Sequence, residues 1–216
     1  MTLSNRSRDA VKAVFEPIAL AMGRAGLTPD ALTLIGFAIT TTGAVLVALQ
    51  HWTIGGIVVF IGGAFDMFDG TLARATGRVS RWGAFLDSVF DRGGEAIVYI
   101  GIVFGAAVEE HTRVPILATS AMAAAFMVSY VRARAEGLGF SPGKGMAAVG
   151  LMPREVRLVI LSIGLVLADA PNIKALEPTL AIIAIGATLT VIQRILHVRS
   201  QANAAAASQP IEQEQM

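Results

Sequence analysis

Four aspartates in an otherwise apolar stretch are the residues of this chain best suited to chemistry. They are Asp66, Asp69, Asp87 and Asp91. Helical positions three or four apart share a face, so Asp66 and Asp69 project together, and so do Asp87 and Asp91. Carboxylates close to a bilayer are costly and need a partner. Because ligation by oxygen alone suits Mg²⁺ or Mn²⁺, the spacing predicts two helices that meet at a four-carboxylate metal site.

A site of this kind could hold two Mg²⁺ ions, with Mn²⁺ as a substitute. Paired metals suit displacement at phosphorus, since they bind the attacking and the leaving oxygen. Gly70 and Ala73 are small and would let a bulky group approach the helix. Arg74 lies on the same face as Gly70 and suits a phosphate. From these residues alone an ion or proton transporter remains an alternative, because acidic residues within spans also build ion pathways.

The composition predicts an all-α membrane protein. Of the 216 residues 54% are hydrophobic and 15% are charged, whereas soluble domains carry about a quarter charged residues. Uncharged runs separated by charged clusters predict six transmembrane helices, at about residues 31–50, 54–74, 82–108, 115–134, 153–168 and 179–197. The chain has no cysteine, which excludes disulfides and thiolate metal sites.

The segments outside the spans lead to three further expectations. Apolar residues recur at helical spacing over about residues 5–25, which predicts an amphipathic helix in the membrane interface; a helix packed on the protein's own core is the alternative. We see no cleavable signal peptide. We expect one domain over residues 1–199 and a disordered cytoplasmic tail over residues 200–216.

The basic residues predict the orientation in the membrane. With six spans, every Lys and Arg except Arg113 and Lys174 falls on the side that carries the termini and the aspartates. The positive-inside rule then places both termini and the site at the cytoplasmic face of the cell membrane.

The aspartate stretch resembles the motif of the CDP-alcohol phosphatidyltransferase family. The motif has the form D-x-x-D-G-x-x-A-R, a short spacer, and then G-x-x-x-D-x-x-x-D. Here it is complete, as DMFDGTLAR, eight further residues and GAFLDSVFD. The resemblance covers nearly the whole chain. It implies a CDP-linked lipid donor, an alcohol acceptor, a divalent metal and the release of CMP.

The same resemblance implies roles for individual residues. The aspartates at 66, 69 and 87 would be metal ligands, and Asp91 would be the general base and would also lie near the metals. The expected contacts to the CDP-lipid are Pro29, Asp30, Ala31, Leu32, Gly70, Ala73, Arg74 and Ser80. The donor would be CDP-diacylglycerol or CDP-archaeol, in a homodimeric enzyme that contacts membrane lipids and no nucleic acid.

Three segments suggest the acceptor. Residues 129–136, 154–158 and 193–199 resemble the bacterial phosphatidylinositol phosphate synthases and the archaeal archaetidylinositol phosphate synthases within that family. The resemblance implies that Arg132, Arg154 and Arg194 bind the phosphate of inositol phosphate. The alternative role for such arginines is to face lipid phosphates at span ends, and we assign Arg134, Arg157 and Arg199 to it.

The identity of the acceptor and the role of Glu95 each have an alternative interpretation. Glycerol 3-phosphate is the alternative acceptor, because it also carries a phosphate. Glu95 lies one helical turn after Asp91 and could either support the site or pair with Arg92.

Overall fold

The structure is a computed structural model that describes residues 15–108, 113–140, 145–170 and 174–207. Within these ranges it is built of helices and contains no β-strand, which confirms the all-α prediction. The helices are α1 (residues 15–24), α2 (Pro29–Ala48), α3 (Trp52–Ala75), α4 (Arg81–Val108), α5 (Arg113–Gly137), α6 (Arg154–Val166) and α7 (Leu176–Ala207). A short 3₁₀ helix, Met146–Ala148, lies between α5 and α6.

Two helix starts are fixed by local capping. Thr28 is the N-cap of α2, where its hydroxyl accepts a hydrogen bond of 3.2 Å from the backbone N–H of Ala31. Pro29 then supplies a preset φ, and Asp30 places a negative charge in the first turn. Before α4, the hydroxyl of Ser80 accepts a 2.9 Å hydrogen bond from the backbone N–H of Gly83. Both starts lie beside the aspartates described below.

Four of the described helices are long and apolar enough to cross a membrane: α2, α3, α5 and α7. α4 has 28 residues, but charged side chains occupy its first half. α6 has 13 residues and is therefore only about 20 Å long, whereas a bilayer core is about 30 Å thick. The membrane-protein prediction thus has direct support from four helices, and the six-span arrangement stays a prediction.

Close helix packing forms the core. α2 packs against α3 and α4, α3 contacts α6, and α5 packs against α4 and α7. Gly101 of α4 lies directly against the backbone carbonyl of Ala44 in α2, where a Cβ atom would collide with the oxygen. This approach brings α4 close enough to place its aspartates opposite those of α3.

α1 packs on the protein's own core. Ala19 is fully buried in a cluster with Leu32 and Leu72. The ring of Phe15 lies 5.1 Å from that of Phe68, between ring centroids. Residues 5–14 of the predicted interfacial helix lie outside the described residues, so its position in a membrane interface stays a prediction.

The C-terminal helix is longer than predicted. α7 continues to Ala207, through residues 200–207, where we predicted disorder. The physical reason is the run of alanines in this segment, since alanine has the highest helix propensity. Residues 208–216 of the predicted tail lie outside the described residues.

The approach of α4 to α2 predicts the effect of a small substitution. Gly101→Ala should destabilise the protein by about 1–3 kcal/mol, because the added methyl group overpacks a backbone contact. Gly137→Ala is the matched control, since Gly137 is also helical but has open space around its Cα. The measurement is the thermal unfolding midpoint in detergent. Equal midpoints for the two variants would contradict the close approach.

Candidate active site

The four aspartates lie on the facing helices α3 and α4. Asp69 is the most buried of the four, with 7% of its surface exposed. Its Oδ2 accepts a 2.5 Å hydrogen bond from the hydroxyl of Thr33 in α2, and its Oδ1 accepts a hydrogen bond from the backbone N–H of Gly70. These two donors fix the Asp69 carboxylate, so the α2 residue Thr33 belongs to the support of the site.

A single arginine links the two aspartate pairs. The Nη2 of Arg154, at the start of α6, lies 2.9 Å from the Oδ2 of Asp66, and its Nη1 lies 2.9 Å from the Oδ1 of Asp91. Charge-assisted hydrogen bonds of this kind are among the strongest in proteins. Arg154 therefore connects α6 with both α3 and α4 at the level of the aspartates.

A cavity of about 270 Å³ lies on one side of the aspartates, and we call it the donor cavity. Residues of α2, α3, α4 and the α3–α4 turn line it. Among them are two aspartates, Asp69 and Asp87. It also brings together these predicted CDP-lipid contacts: Pro29, Asp30, Gly70, Ala73, Arg74 and Ser80.

Two predicted CDP-lipid contacts lie elsewhere. Leu32 is fully buried in the cluster with Ala19, and Ala31 does not line the donor cavity. Successive helical residues point in different directions, so the four consecutive residues 29–32 of α2 cannot all face one cavity. Thr33 lines the cavity instead, four residues after Pro29 and on the same helix face. Arg78 also lines it, from the turn between the motif halves, where no periodic pattern marked it.

A second cavity, of about 90 Å³, brings the three predicted acceptor arginines together, and we call it the arginine cavity. Arg132 comes from α5, Arg154 from α6 and Arg194 from α7. Asp91 lines the same cavity. The aspartates therefore border both cavities, with Asp69 and Asp87 on the donor cavity and Asp91 on the arginine cavity.

Arg194 differs from the other two arginines in its partners. Arg154 pairs with aspartates, and Arg132 pairs with Glu136 at 3.0 Å. Arg194 is only 3% exposed and donates to two backbone carbonyls, those of Val149 at 3.0 Å and Val128 at 2.5 Å. In the described part of the chain no carboxylate lies within ion-pair distance of it. A buried cation without an anion is unfavourable, so Arg194 favours a bound anion in the cavity.

Arg157 corrects a prediction made from the sequence. We assigned it to a span end facing lipid phosphates, but its side chain is 1% exposed and forms a two-pronged ion pair with Glu95. The same contact resolves the role of Glu95, which does not pair with Arg92. Arg92 instead donates a 2.7 Å hydrogen bond to the backbone carbonyl of Ser88. The two partners are 62 residues apart, so no local pattern revealed the pair.

The donor set fits a divalent cation by its chemistry. Every candidate ligand is a carboxylate, and the carboxylates of Asp66, Asp69, Asp87 and Asp91 are near enough to repel one another. In the described ranges, however, no three such side chains converge closely enough to form a ready-made metal cluster. The number of ions thus stays a prediction, and the aspartates are the residues that would hold them.

The comparison with known families identifies the class of protein. The sequence model of the CDP-alcohol phosphatidyltransferase family matches residues 26–197. The chain therefore belongs to this family of membrane enzymes, as the aspartate motif predicted. The match includes both halves of the motif and the three predicted acceptor arginines, Arg132, Arg154 and Arg194.

Two individual members of the family show which of its enzymes this chain is similar to. The chain is 35% identical over 197 residues to the archaetidylinositol phosphate synthase of Pyrococcus horikoshii, covering 91% of this chain and 97% of the relative. It is 34% identical over 201 residues to the phosphatidylinositol phosphate synthase of Mycobacteroides abscessus, covering 92% and 89%.

Solved structures agree with the sequence relatives. The fold is similar to the crystal structure of the Mycobacterium tuberculosis phosphatidylinositol phosphate synthase with CDP-DAG bound, with a TM-score of 0.77 and 30% identity over 94% of this chain and 98% of that one. A structure of the same enzyme with manganese and citrate gives a TM-score of 0.75 at 30% identity, covering 94% and 93%. Divalent metal thus binds to a member of this family.

The support of Asp69 predicts a measurable effect on metal binding. Asp69→Asn should abolish tight Mn²⁺ binding, and Thr33→Val should weaken it about 10- to 100-fold, because residues that orient a ligand typically contribute that much. Asp169→Asn is the control, since Asp169 is exposed and contacts Thr53 in another part of the fold. Mn²⁺ binding is followed by electron paramagnetic resonance. Unchanged affinity in Asp69→Asn would contradict the assignment.

Proposed function

We propose that this protein transfers a phosphatidyl group, or its ether-lipid equivalent, from a CDP-linked lipid to inositol phosphate, giving phosphatidylinositol phosphate and CMP. The observation that carries the proposal is the position of the aspartates between two cavities of different character. One cavity contains the motif residues expected to contact CDP, and the other contains arginines from four helices, α4 to α7. Donor and acceptor can therefore meet at the carboxylates.

The donor would occupy the donor cavity. Arg74 and Arg78 line it and suit the phosphates of a CDP-lipid, while Gly70 and Ala73 leave room for a bulky group. The expected cofactor is a pair of Mg²⁺ ions, which would offset charge on the transferred phosphate and on the leaving CMP. The chain's aspartates would hold these ions at the wall of the cavity.

The acceptor would occupy the arginine cavity. Its phosphate would satisfy the buried charge of Arg194, with Arg132 and Arg154 as further cations. Asp91 lines the same cavity and is placed to accept a proton from the attacking hydroxyl. The proton would move from the acceptor oxygen to the Asp91 carboxylate as that oxygen approaches phosphorus.

The relatives named above favour inositol phosphate over glycerol 3-phosphate. Their names differ in the lipid part, archaetidyl or phosphatidyl, and agree in the inositol phosphate part. The proposal therefore specifies inositol phosphate as the acceptor and a phosphatidyl group or its ether-lipid equivalent as the group transferred. A transporter, the alternative that the aspartates alone left open, would give ion flux without any CDP compound, and membership of this enzyme family argues against it.

The arrangement in the membrane completes the proposal. We propose six spans, with α4 and α6 as the third and fifth, both termini in the cytoplasm and the site open to that side, as the distribution of basic residues favours. We also propose that the N-terminal helix lies in the membrane interface, as the helical spacing of its apolar residues favours, and that the enzyme is a homodimer.

An acceptor competition assay tests the proposed reaction. Purified protein with CDP-diacylglycerol and Mg²⁺ should release CMP when inositol phosphate is supplied, and much less when glycerol 3-phosphate or free inositol is supplied. Asp91→Asn should lower the rate by about 10²-fold or more, because a general base typically contributes 10²–10⁴-fold. Preference for glycerol 3-phosphate would overturn the proposed acceptor, and full activity in EDTA would overturn the role of the metal.

Cysteine labelling tests the topology, and the absence of native cysteine makes the chain suitable. His51→Cys and Arg134→Cys are placed at exposed positions that the six-span arrangement puts on opposite sides. In sealed inverted vesicles a membrane-impermeant maleimide should label the Arg134→Cys variant only. Labelling of both variants, or of His51→Cys alone, would contradict the proposed orientation.

A further inference from the structure

The ion pair between Glu95 and Arg157 is the most buried pair of charges in the described part of the chain. The Nε of Arg157 lies 2.7 Å from the Oε1 of Glu95, and its Nη2 lies 2.7 Å from the Oε2. The side chains are 1% and 10% exposed. Two parallel hydrogen bonds fix both the distance and the orientation of the partners. The pair therefore sets how α6 stands against α4.

A second contact of Arg157 reaches the segment that precedes α6. The Nη1 of Arg157 donates a 2.9 Å hydrogen bond to the backbone carbonyl of Met152. Met152 and Pro153 lead directly into Arg154, the first residue of α6. The guanidinium of Arg157 thus holds the chain segment from which the side chain of Arg154 extends.

The two arginines of α6 form consecutive contacts to α4. Arg154 meets Asp91, and Arg157 meets Glu95. The arginines are three residues apart and the carboxylates are four residues apart, so each pair lies one helical turn from the other. Both arginines line the arginine cavity, but the side chain of Arg154 is 26% exposed and is shared with Asp66, whereas those of Arg157 and Glu95 are only 1% and 10% exposed.

We infer that Glu95 and Arg157 are positioning residues that set the reach of Arg154 into the arginine cavity and thereby determine affinity for the phosphate of the acceptor. This inference rests on the proposed function for the identity of that acceptor. Arg154 must contact carboxylates of two helices and also face the cavity. A long arginine side chain can do so only if the backbone that carries it is fixed.

Two other roles for Arg157 predict different results. If Arg157 itself bound the phosphate, removing the charge of Glu95 would release the guanidinium and lower the KM of the acceptor. If the pair only anchored α6, any loss of anchoring along α6 would have the same effect. The other end of α6 offers a control, because the hydroxyl of Thr53 donates to the carbonyl of Val166 at 3.1 Å and Asp169 accepts from the backbone N–H of Thr53 at 2.9 Å.

The experiment measures the KM of each substrate by CMP release with full-length protein in detergent. Glu95→Gln should raise the KM of inositol phosphate about 10-fold or more, as expected for loss of an orienting partner, and change the KM of CDP-diacylglycerol less than about two-fold. Arg157→Lys, which keeps both charges but loses the two-pronged geometry, should raise the acceptor KM in the same direction and provides the readout if Glu95→Gln does not fold. Asp169→Asn should change neither constant.

The contrary results are distinct from those that test the proposed function. A lower or unchanged acceptor KM in Glu95→Gln, an equal rise for both substrates, or the same rise in Asp169→Asn would overturn the positioning role. If the wild type uses glycerol 3-phosphate instead, the proposed acceptor is wrong. The positioning role is then tested by whether Glu95→Gln raises the KM of glycerol 3-phosphate more than that of CDP-diacylglycerol. If the wild type prefers an acceptor without phosphate, both are overturned.

Discussion

The need to pair charges buried among apolar helices governs the architecture of this protein. An unpaired charge in such surroundings costs several kcal/mol, and three of the four aspartates, Asp66, Asp69 and Asp91, have partners that avoid this. Asp69 receives hydrogen bonds from Thr33 and Gly70, while Arg154 contacts Asp66 and Asp91. These partners come from different helices. The short helix α6 is therefore held by its arginines as well as by apolar packing.

The division into two cavities follows from the same constraint. The aspartates of α3 and α4 are linked through Arg154 of α6, and the cavities on either side of them have different walls. The donor cavity is lined by small residues next to Arg74 and Arg78, which lie at and just after the C-terminal end of α3. The arginine cavity is lined by arginines of helices that include α5, α6 and α7. In the proposed reaction, a lipid-linked nucleotide would occupy the larger cavity and a small phosphorylated alcohol the arginine-lined one.

Features that depend on local spacing could be predicted from the sequence. The shared faces of the aspartates and the all-α fold are of this kind, and the family resemblance pointed to the arginine cavity. Contacts between distant residues could not be predicted, as the Glu95–Arg157 pair and the support of Asp69 by Thr33 show. α7 extends through residues 200–207 because the alanines there favour a helix, although the composition of residues 200–216 predicted disorder.

The central claim is that donor and acceptor meet directly at the carboxylates. An aspartate could instead attack phosphorus and carry the phosphatidyl group covalently. The stereochemical course at phosphorus distinguishes direct attack by the acceptor from attack by an aspartate. It is followed with CDP-diacylglycerol in which the transferred phosphorus is made chiral by isotopic labelling. Direct in-line attack by the acceptor predicts inversion of configuration in the lipid product. Retention would show two successive displacements and would contradict the account.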